Sequence, residues 1–194
     1  MNPSTIKHNR ENCYDRIFKA VSEARHPEPP PEGLFQPTAV IALFSFDPEA
    51  SLLFIQKADT KGYPWANQMA FPGGHYDPDD VTRMETALRE LSEETSIERD
   101  NVEVIGSLGH FQTINNKDIE AFAGFWNREG NILYDAEEIS RVFQIPLKTL
   151  MITHLSKSYH QDRPDIYSLT YPYEDVVIWG VTAKIVYHLI QILL

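Results

Sequence analysis

From Thr38 to Phe46 the chain is almost without interruption apolar or β-branched (TAVIALFSF), and after Asp47-Pro48-Glu49-Ala50 a second such run, Ser51 to Gln56, returns. Short apolar runs rich in β-branched and aromatic residues, separated by a Pro-containing turn, predict two strands joined as a hairpin. Asp80 to Thr95 changes period: Met84, Ala87, Leu88 and Leu91 recur at helical spacing, and Asp79 or Asp80 stands where a helix cap is expected. Asn9 to Arg25 predicts a helix with Ile17, Phe18 and Val21 on its apolar face, and Trp179 to Leu194 a closing helix with Ile185, Leu189, Ile192 and Leu193 along one side. Val102–Leu108, Ala121–Trp126, a run ending at Ile145-Pro146-Leu147, Ile166–Leu169 and Val176–Ile178 read as strands, and Gln68–Phe71 as a short one. Strands interleaved with helices predict an α/β (or α+β) domain with a mixed sheet.

Two segments break the pattern. His26 to Pro37 is rich in Pro and predicts an extended connector, so that residues 1–37 form a helix and connector ahead of a body spanning 38–194. The connector reads either as an arm on the body or as a partner-contacting extension. Asp59 to Asn67 carries Gly62, Pro64 and the aromatics Tyr63 and Trp65, and predicts a loop.

A chain of 194 residues, 42% hydrophobic and 23% charged, has the composition of one soluble domain with a real core. No basic start leads into an apolar run at the N-terminus, and the apolar stretch from Val176 is interrupted by Lys184, His188 and Gln191, so neither a secretory leader nor a membrane span is expected. Cys13 is the single cysteine; it forms no internal disulfide and stands in no nucleophile motif, as expected of a cytoplasmic protein. The formal net charge of −11 argues against a nucleic-acid surface. It also constrains any phosphorylated ligand, because carboxylates bind an anion only with metal cations between them.

Candidate chemistry concentrates in Gly73-Gly74-His75-Tyr76-Asp77-Pro78-Asp79-Asp80 and in Arg89-Glu90-Leu91-Ser92-Glu93-Glu94. Spacings of three and four bring Glu90, Glu93 and Glu94 to one side of a helix. Clustered carboxylates repel unless a cation sits among them, and hard oxygen ligands suit Mg²⁺ or Mn²⁺. Gly73 and Gly74 allow a tight backbone to approach a metal or a phosphate. An Arg-Glu-x-x-Glu-Glu helix by itself is commonly a solvated face; the strand, the Pro-Gly-Gly and the acidic loop ahead of it point to a site. No Gly-x-Ser-x-Gly and no P-loop is present.

With these residues in view, the segment resembles the Nudix box, matching at Gly74, Arg89, Glu90, Leu91, Glu93, Glu94 and Ile97. Ser96 stands where that family usually has glycine, and the spacer from Asp80 to Arg89 is one residue longer than the common form. The resemblance implies an α/β/α sandwich with a loop–helix–loop motif, divalent cations held by the glutamates, and hydrolysis of the pyrophosphate linkage of a nucleoside-diphosphate derivative. Beyond the box, Gln68-Met69-Ala70-Phe71-Pro72-Gly73-Gly74, Glu138–Leu147 and Ile178-Trp179-Gly180-Val181-Thr182-Ala183 resemble the coenzyme A pyrophosphatase branch, whose longer spacer is also found here. Tyr63, Trp65 and Asn67 replace that branch's Arg, His and Gly.

The resemblance makes Glu90 and Glu94 the main metal ligands, joined by Gly74 and by Glu93, which alternatively relays a proton. Arg89 positions the glutamates by ion pairing. Glu138 is the candidate extra ligand or general base. Gly73, Gly74, His75, Tyr63, Trp65 and Gln68 are expected on the substrate, with the aromatic pair stacking on a base, lining an apolar arm or serving only to pack. Coenzyme A or an acyl-coenzyme A leads the substrate classes, with ADP-ribose, nucleotide sugars and dinucleoside polyphosphates as alternatives. A non-catalytic nucleotide-binding module is the other class of function. The apolar face of the last helix fits either a core or a homodimer contact.

Overall fold

The computed structural model describes residues 3–59, 66–162 and 164–194, with side chains from residue 11 onward. Its elements run α1 (Pro3–Glu23), β1 (Gln36–Phe46), β2 (Ala50–Lys57), β3 (Met69–Ala70), β4 (Gly73–His75), α2 (Arg83–Thr95), β5 (Val102–Gln112), β6 (Lys117–Trp126), β7 (Ile139–Pro146), α3 (Leu147–Ser156), β8 (Tyr171–Tyr173), β9 (Val176–Ile178) and α4 (Gly180–Leu193).

Among the described residues seven strands form one mixed sheet, ordered β3-β2-β1-β6-β5, with β4 added to β1 and β7 to β2. β1 and β6 pair in parallel, from Gln36 beside Lys117 to Phe44 beside Phe125, and the other pairs are antiparallel. The unbroken apolar run of β1 follows from burial on both faces. Val40, Ala42, Phe44 and Phe46 point into the larger core, beneath α1, α3 and α4. Ala39, Ile41 and Leu43 point the other way, onto Ala87, Leu88 and Leu91 of α2. Alternation of side chains along one strand thus gives the α/β/α sandwich its two cores.

Several elements depart from the sequence expectation. The first helix begins earlier than Asn9, and of its expected face only Ile17 and Val21 are buried; Phe18 is exposed. One residue is a rotation of about 100° on a helix, enough to carry Phe18 off the core side. The connector lies on the body, where the Pro27 carbonyl accepts a hydrogen bond from the His110 N–H at 3.0 Å. Ile166–Leu169 is a turn and no strand: the Asp165 Oδ1 accepts from the Tyr167 and Ser168 N–H groups at 2.8 and 3.1 Å. The strand falls instead at β8, which pairs with β9. The sequence carries no clear signal for helix α3, because β-branched Thr149, Ile152 and Thr153 weaken its propensity and no side chain caps it. Packing of Leu147, Leu150 and His154 forms it nonetheless.

The C-terminal helix finishes the core rather than leaving its apolar face open: Ile185, Val186, Leu189 and Ile190 are buried. Among the described residues no helix is long and apolar enough to cross a membrane.

Candidate active site

The site is built where β4 lies on β1 and α2 crosses above both. Ala39 and Val40 pair with Gly74 and Gly73, and the Ile41 N–H bonds the Pro72 carbonyl at 2.9 Å. This fixes the glycine pair directly under the helix. Gly73 has φ +150, and a Cβ there would lie 2.2 Å from the Ala39 carbonyl oxygen. At Gly74 a Cβ would lie 2.3 Å from the carboxyl carbon of Glu90. Glycine at 74 is what lets that carboxylate rest on the backbone.

Helix α2 starts at Arg83, with Thr82 as its cap: the Thr82 Oγ1 accepts from the Glu85 N–H at 3.2 Å. Neither Asp79 nor Asp80 performs this role. Asp80 is turned inward, where it accepts from Thr86 Oγ1 at 2.8 Å and from the Asp77 N–H at 3.2 Å. Arg89 supplies its principal partner, donating Nε to Oδ1 at 3.1 Å and Nη2 to Oδ2 at 3.0 Å. That pairing holds the Asp80 carboxyl down at about 2, against the opposing effect of burial. Arg89 also donates to Glu90 at 2.9 Å, to Glu93 at 3.0 Å and to the His75 carbonyl at 3.2 Å. One guanidinium therefore ties the acidic loop, the glycine strand and the helix together.

The three helix glutamates do not share one environment. Glu94 is buried and accepts from the Gly73 N–H at 2.9 Å while contacting the Lys57 ammonium. Burial raises its pKa, opposed by Lys57 and the Gly73 N–H. Glu90 is partly covered against Gly74, and Glu93 turns outward beside Arg89 with a side chain 59% exposed. The helical spacing that gathers the three carboxylates in sequence still leaves adjacent residues about 100° apart, which separates Glu93 from Glu94.

A cavity of about 330 Å³ opens beside the helix, lined by Glu90, Glu94 and Glu138 together with Lys117, Val181 and Thr182. Gln68, Gly73, Gly74 and His75 also line it, and Glu93 and Arg89 do not. Glu138 arrives through strand pairing: β7 runs beside β2, Lys57 is opposite Ile139, and the Glu138 carbonyl accepts from the Ala58 N–H at 2.8 Å. His75 is exposed, its pKa lowered by partial burial and then by Lys117. Tyr63 and Trp65 lie outside the described residues. Sequence reading missed Lys57, Lys117 and Thr38. Lys57 is a strand-end lysine without a motif. The Thr38 Oγ1 lies buried at this cavity and has no hydrogen-bond partner among the described residues.

The donor set fits a hard divalent cation in one particular way. Among the described residues no three carboxylate, imidazole or thiol groups form a closed cage. Mg²⁺ rarely takes one; it binds through one or two carboxylates and completes its shell with waters and phosphate oxygens. Glu90 and Glu94, flanking the Gly73-Gly74 backbone, offer that kind of open site.

Comparison with known proteins shows the family and the fold. The NUDIX domain model matches residues 35–168. Proteins of Yersinia pestis and Yersinia pseudotuberculosis, both named "Uncharacterized Nudix hydrolase NudL", are 35% identical to this chain over 146 residues, covering 74% of it and 73% of their own length. Among solved structures, DR0079 from Deinococcus radiodurans shares the fold with a TM-score of 0.53 at 15% identity, covering 81% of this chain and 85% of that one. A MutT/nudix family protein from Enterococcus faecalis does so at 0.51 and 16%, covering 90% and 71%. The chain belongs to the Nudix family, as a pyrophosphohydrolase of nucleoside-diphosphate derivatives.

Proposed function

We propose that this enzyme hydrolyses the pyrophosphate bond of coenzyme A or an acyl-coenzyme A, with Mg²⁺ or Mn²⁺ held by Glu90, Glu94 and the Gly74 backbone. One observation carries the reading. The three segments that resemble the coenzyme A pyrophosphatase branch are far apart in sequence, yet Gln68, Gly73 and Gly74 from the first, Glu138 from the second and Val181 and Thr182 from the third line a single cavity. Asn67, which replaces that branch's glycine, has φ 60. Asparagine is among the few residues that tolerate this region, so the backbone requirement of a glycine is met without one.

In this reading the bound cation supplies charge neutralisation at the phosphate oxygens and makes water more acidic. The chain's own residues do the rest. Arg89 fixes Glu90 and also holds Glu93, the outer carboxylate, which turns away from the cavity and relays a proton outward rather than joining the ligand set. Lys57 opposes the upward shift that burial imposes on the Glu94 carboxyl. Glu138, exposed and lining the cavity, takes the proton of the attacking water. Gln68 and His75 contact the substrate along the rim.

A Mg²⁺-dependent product assay tests the proposal against coenzyme A, ADP-ribose, a nucleotide sugar and a dinucleoside polyphosphate. Preferential release of 4′-phosphopantetheine and 3′,5′-ADP from coenzyme A is expected. Preference for another compound rejects the substrate and keeps the hydrolytic core.

A further inference from the structure

Beyond the carboxylates lies a larger cleft, of about 650 Å³, lined by Ile114, Tyr167, Val177 and Trp179 and by the amides of Gln68, Gln112 and Asn115. It is continuous with the carboxylate cavity, for Gln68, Asn115 and Thr182 belong to both walls. Large apolar side chains gather there in the open: Ile114 is 89% exposed, Tyr167 90% and Trp179 48%. Exposed apolar residues scattered singly need no explanation, but a group around one concavity marks a binding surface. From this we infer that the cleft holds the nucleobase of the substrate, stacked on Trp179 and Tyr167, with the Asn115 and Gln68 amides reading its edge.

The chemistry of the lining separates a base from a hydrocarbon arm. The Gln68 and Asn115 amides carry no hydrogen bond to another described residue, and an alkyl chain would bury them unpaired at a cost. A base has a π-face for the rings and donors and acceptors on its edge for the amides. Among the described residues that line the cleft there is no carboxylate, in a chain whose net charge is −11. Gly180, φ +64, follows Trp179 directly and opens the first turn of α4, whose Val181 and Thr182 line both cavities and where no side chain caps the helix. Uncapped N–H groups beside Thr182 and the unpartnered Thr38 hydroxyl suit the phosphate that links base to carboxylates.

The inference rests on the nucleoside part of the proposed function and is independent of coenzyme A. Its test is calorimetric titration of the full chain, with Mg²⁺, using AMP, inorganic phosphate and 4′-phosphopantetheine. AMP has no pyrophosphate bond to cut. Trp179→Ala and Tyr167→Ala are each expected to weaken AMP about tenfold, as loss of a stacking ring does, with phosphate unchanged and Trp179→Phe close to wild type. Tyr167 is so exposed that its removal does not threaten the fold. AMP affinity indifferent to both alanine variants, an equal loss for phosphate, or a loss confined to 4′-phosphopantetheine overturns the assignment, as does wild-type protein that binds no AMP. Failure to cleave coenzyme A, with AMP binding still dependent on Trp179, rejects only the substrate proposed above.

Discussion

Arg89 grips Asp80 with two contacts, Nε to Oδ1 at 3.1 Å and Nη2 to Oδ2 at 3.0 Å, across nine residues of chain. The bond anchors the acidic loop to helix α2. Asp80→Ala is expected to cost about 2 kcal/mol, the usual scale for hydrogen bonds to a charged group, and to lower turnover by loosening Arg89 from the glutamates. The Asp80 carboxyl is depressed to about 2 from its ordinary 3.8, chiefly by Arg89. Its contribution is therefore present above the ordinary value and is lost as pH falls toward 2. Urea unfolding at pH 7 and pH 3 measures this: the gap between wild type and variant should narrow at the lower pH. A constant gap refutes the linkage.

Glu94→Gln keeps an oxygen for the Gly73 N–H and removes the charge. Turnover is expected to fall more than about 100-fold, beyond the effect of losing an outer-shell partner, while the circular dichroism spectrum stays as in wild type. EDTA should bring wild type to a similar level, with Mg²⁺ or Mn²⁺ restoring wild type and not the variant. Turnover that persists in chelator removes the metal assignment altogether.

Ser96 ends α2 in the left-handed region at φ 57, its N–H bonded to the Ser92 carbonyl at 2.8 Å. The serine is exposed and occupies the position at which the family pattern has glycine. A side chain in this conformation is strained by roughly 1 kcal/mol relative to glycine. Ser96→Gly should raise the unfolding free energy by about that amount with unchanged turnover, read from denaturant midpoints at equal m-value. A lower midpoint contradicts it.

His188 meets His26 at 2.9 Å and joins α4 to the segment after α1. Burial, then His26, lowers the His188 pKa to about 4, and burial lowers that of His154 similarly. The unfolded chain takes up protons at these groups below the ordinary 6.5, where the folded chain does not until about 4. Stability is thus complete above 6.5 and declines as pH falls toward 4. Thermal midpoints between pH 7 and 5 should fall, and fall less steeply in His188→Gln. An identical slope in the variant removes His188 from the explanation.

What could be read from sequence follows the range of the forces involved. β1, β2, α2 and α4 show their periods because each buries a continuous face, and the carboxylates of α2 sit in one local motif. Helix α3 has no such local signal, and only packing on the sheet forms it. Asp80, a good capping residue by type, does not cap α2, because Arg89 from the next turns of the helix takes its carboxylate and Thr82 caps instead. Lys57 becomes part of the site only through a helix 37 residues further on, and Glu138 only through pairing of β7 with β2. Glu93 shows the limit of a spacing argument, since residues one apart on a helix need not face the same cavity.

The contact of Glu90 with Gly74 has a consequence for how such a site is lost over time. The space on which the carboxylate rests is defined by atoms that residue 74 does not have. A single added methyl group would displace Glu90 while leaving every acidic residue in place and the net charge unaltered. A descendant of this chain could keep its whole complement of glutamates and yet be silent, and an inventory of its carboxylates would pass it as active.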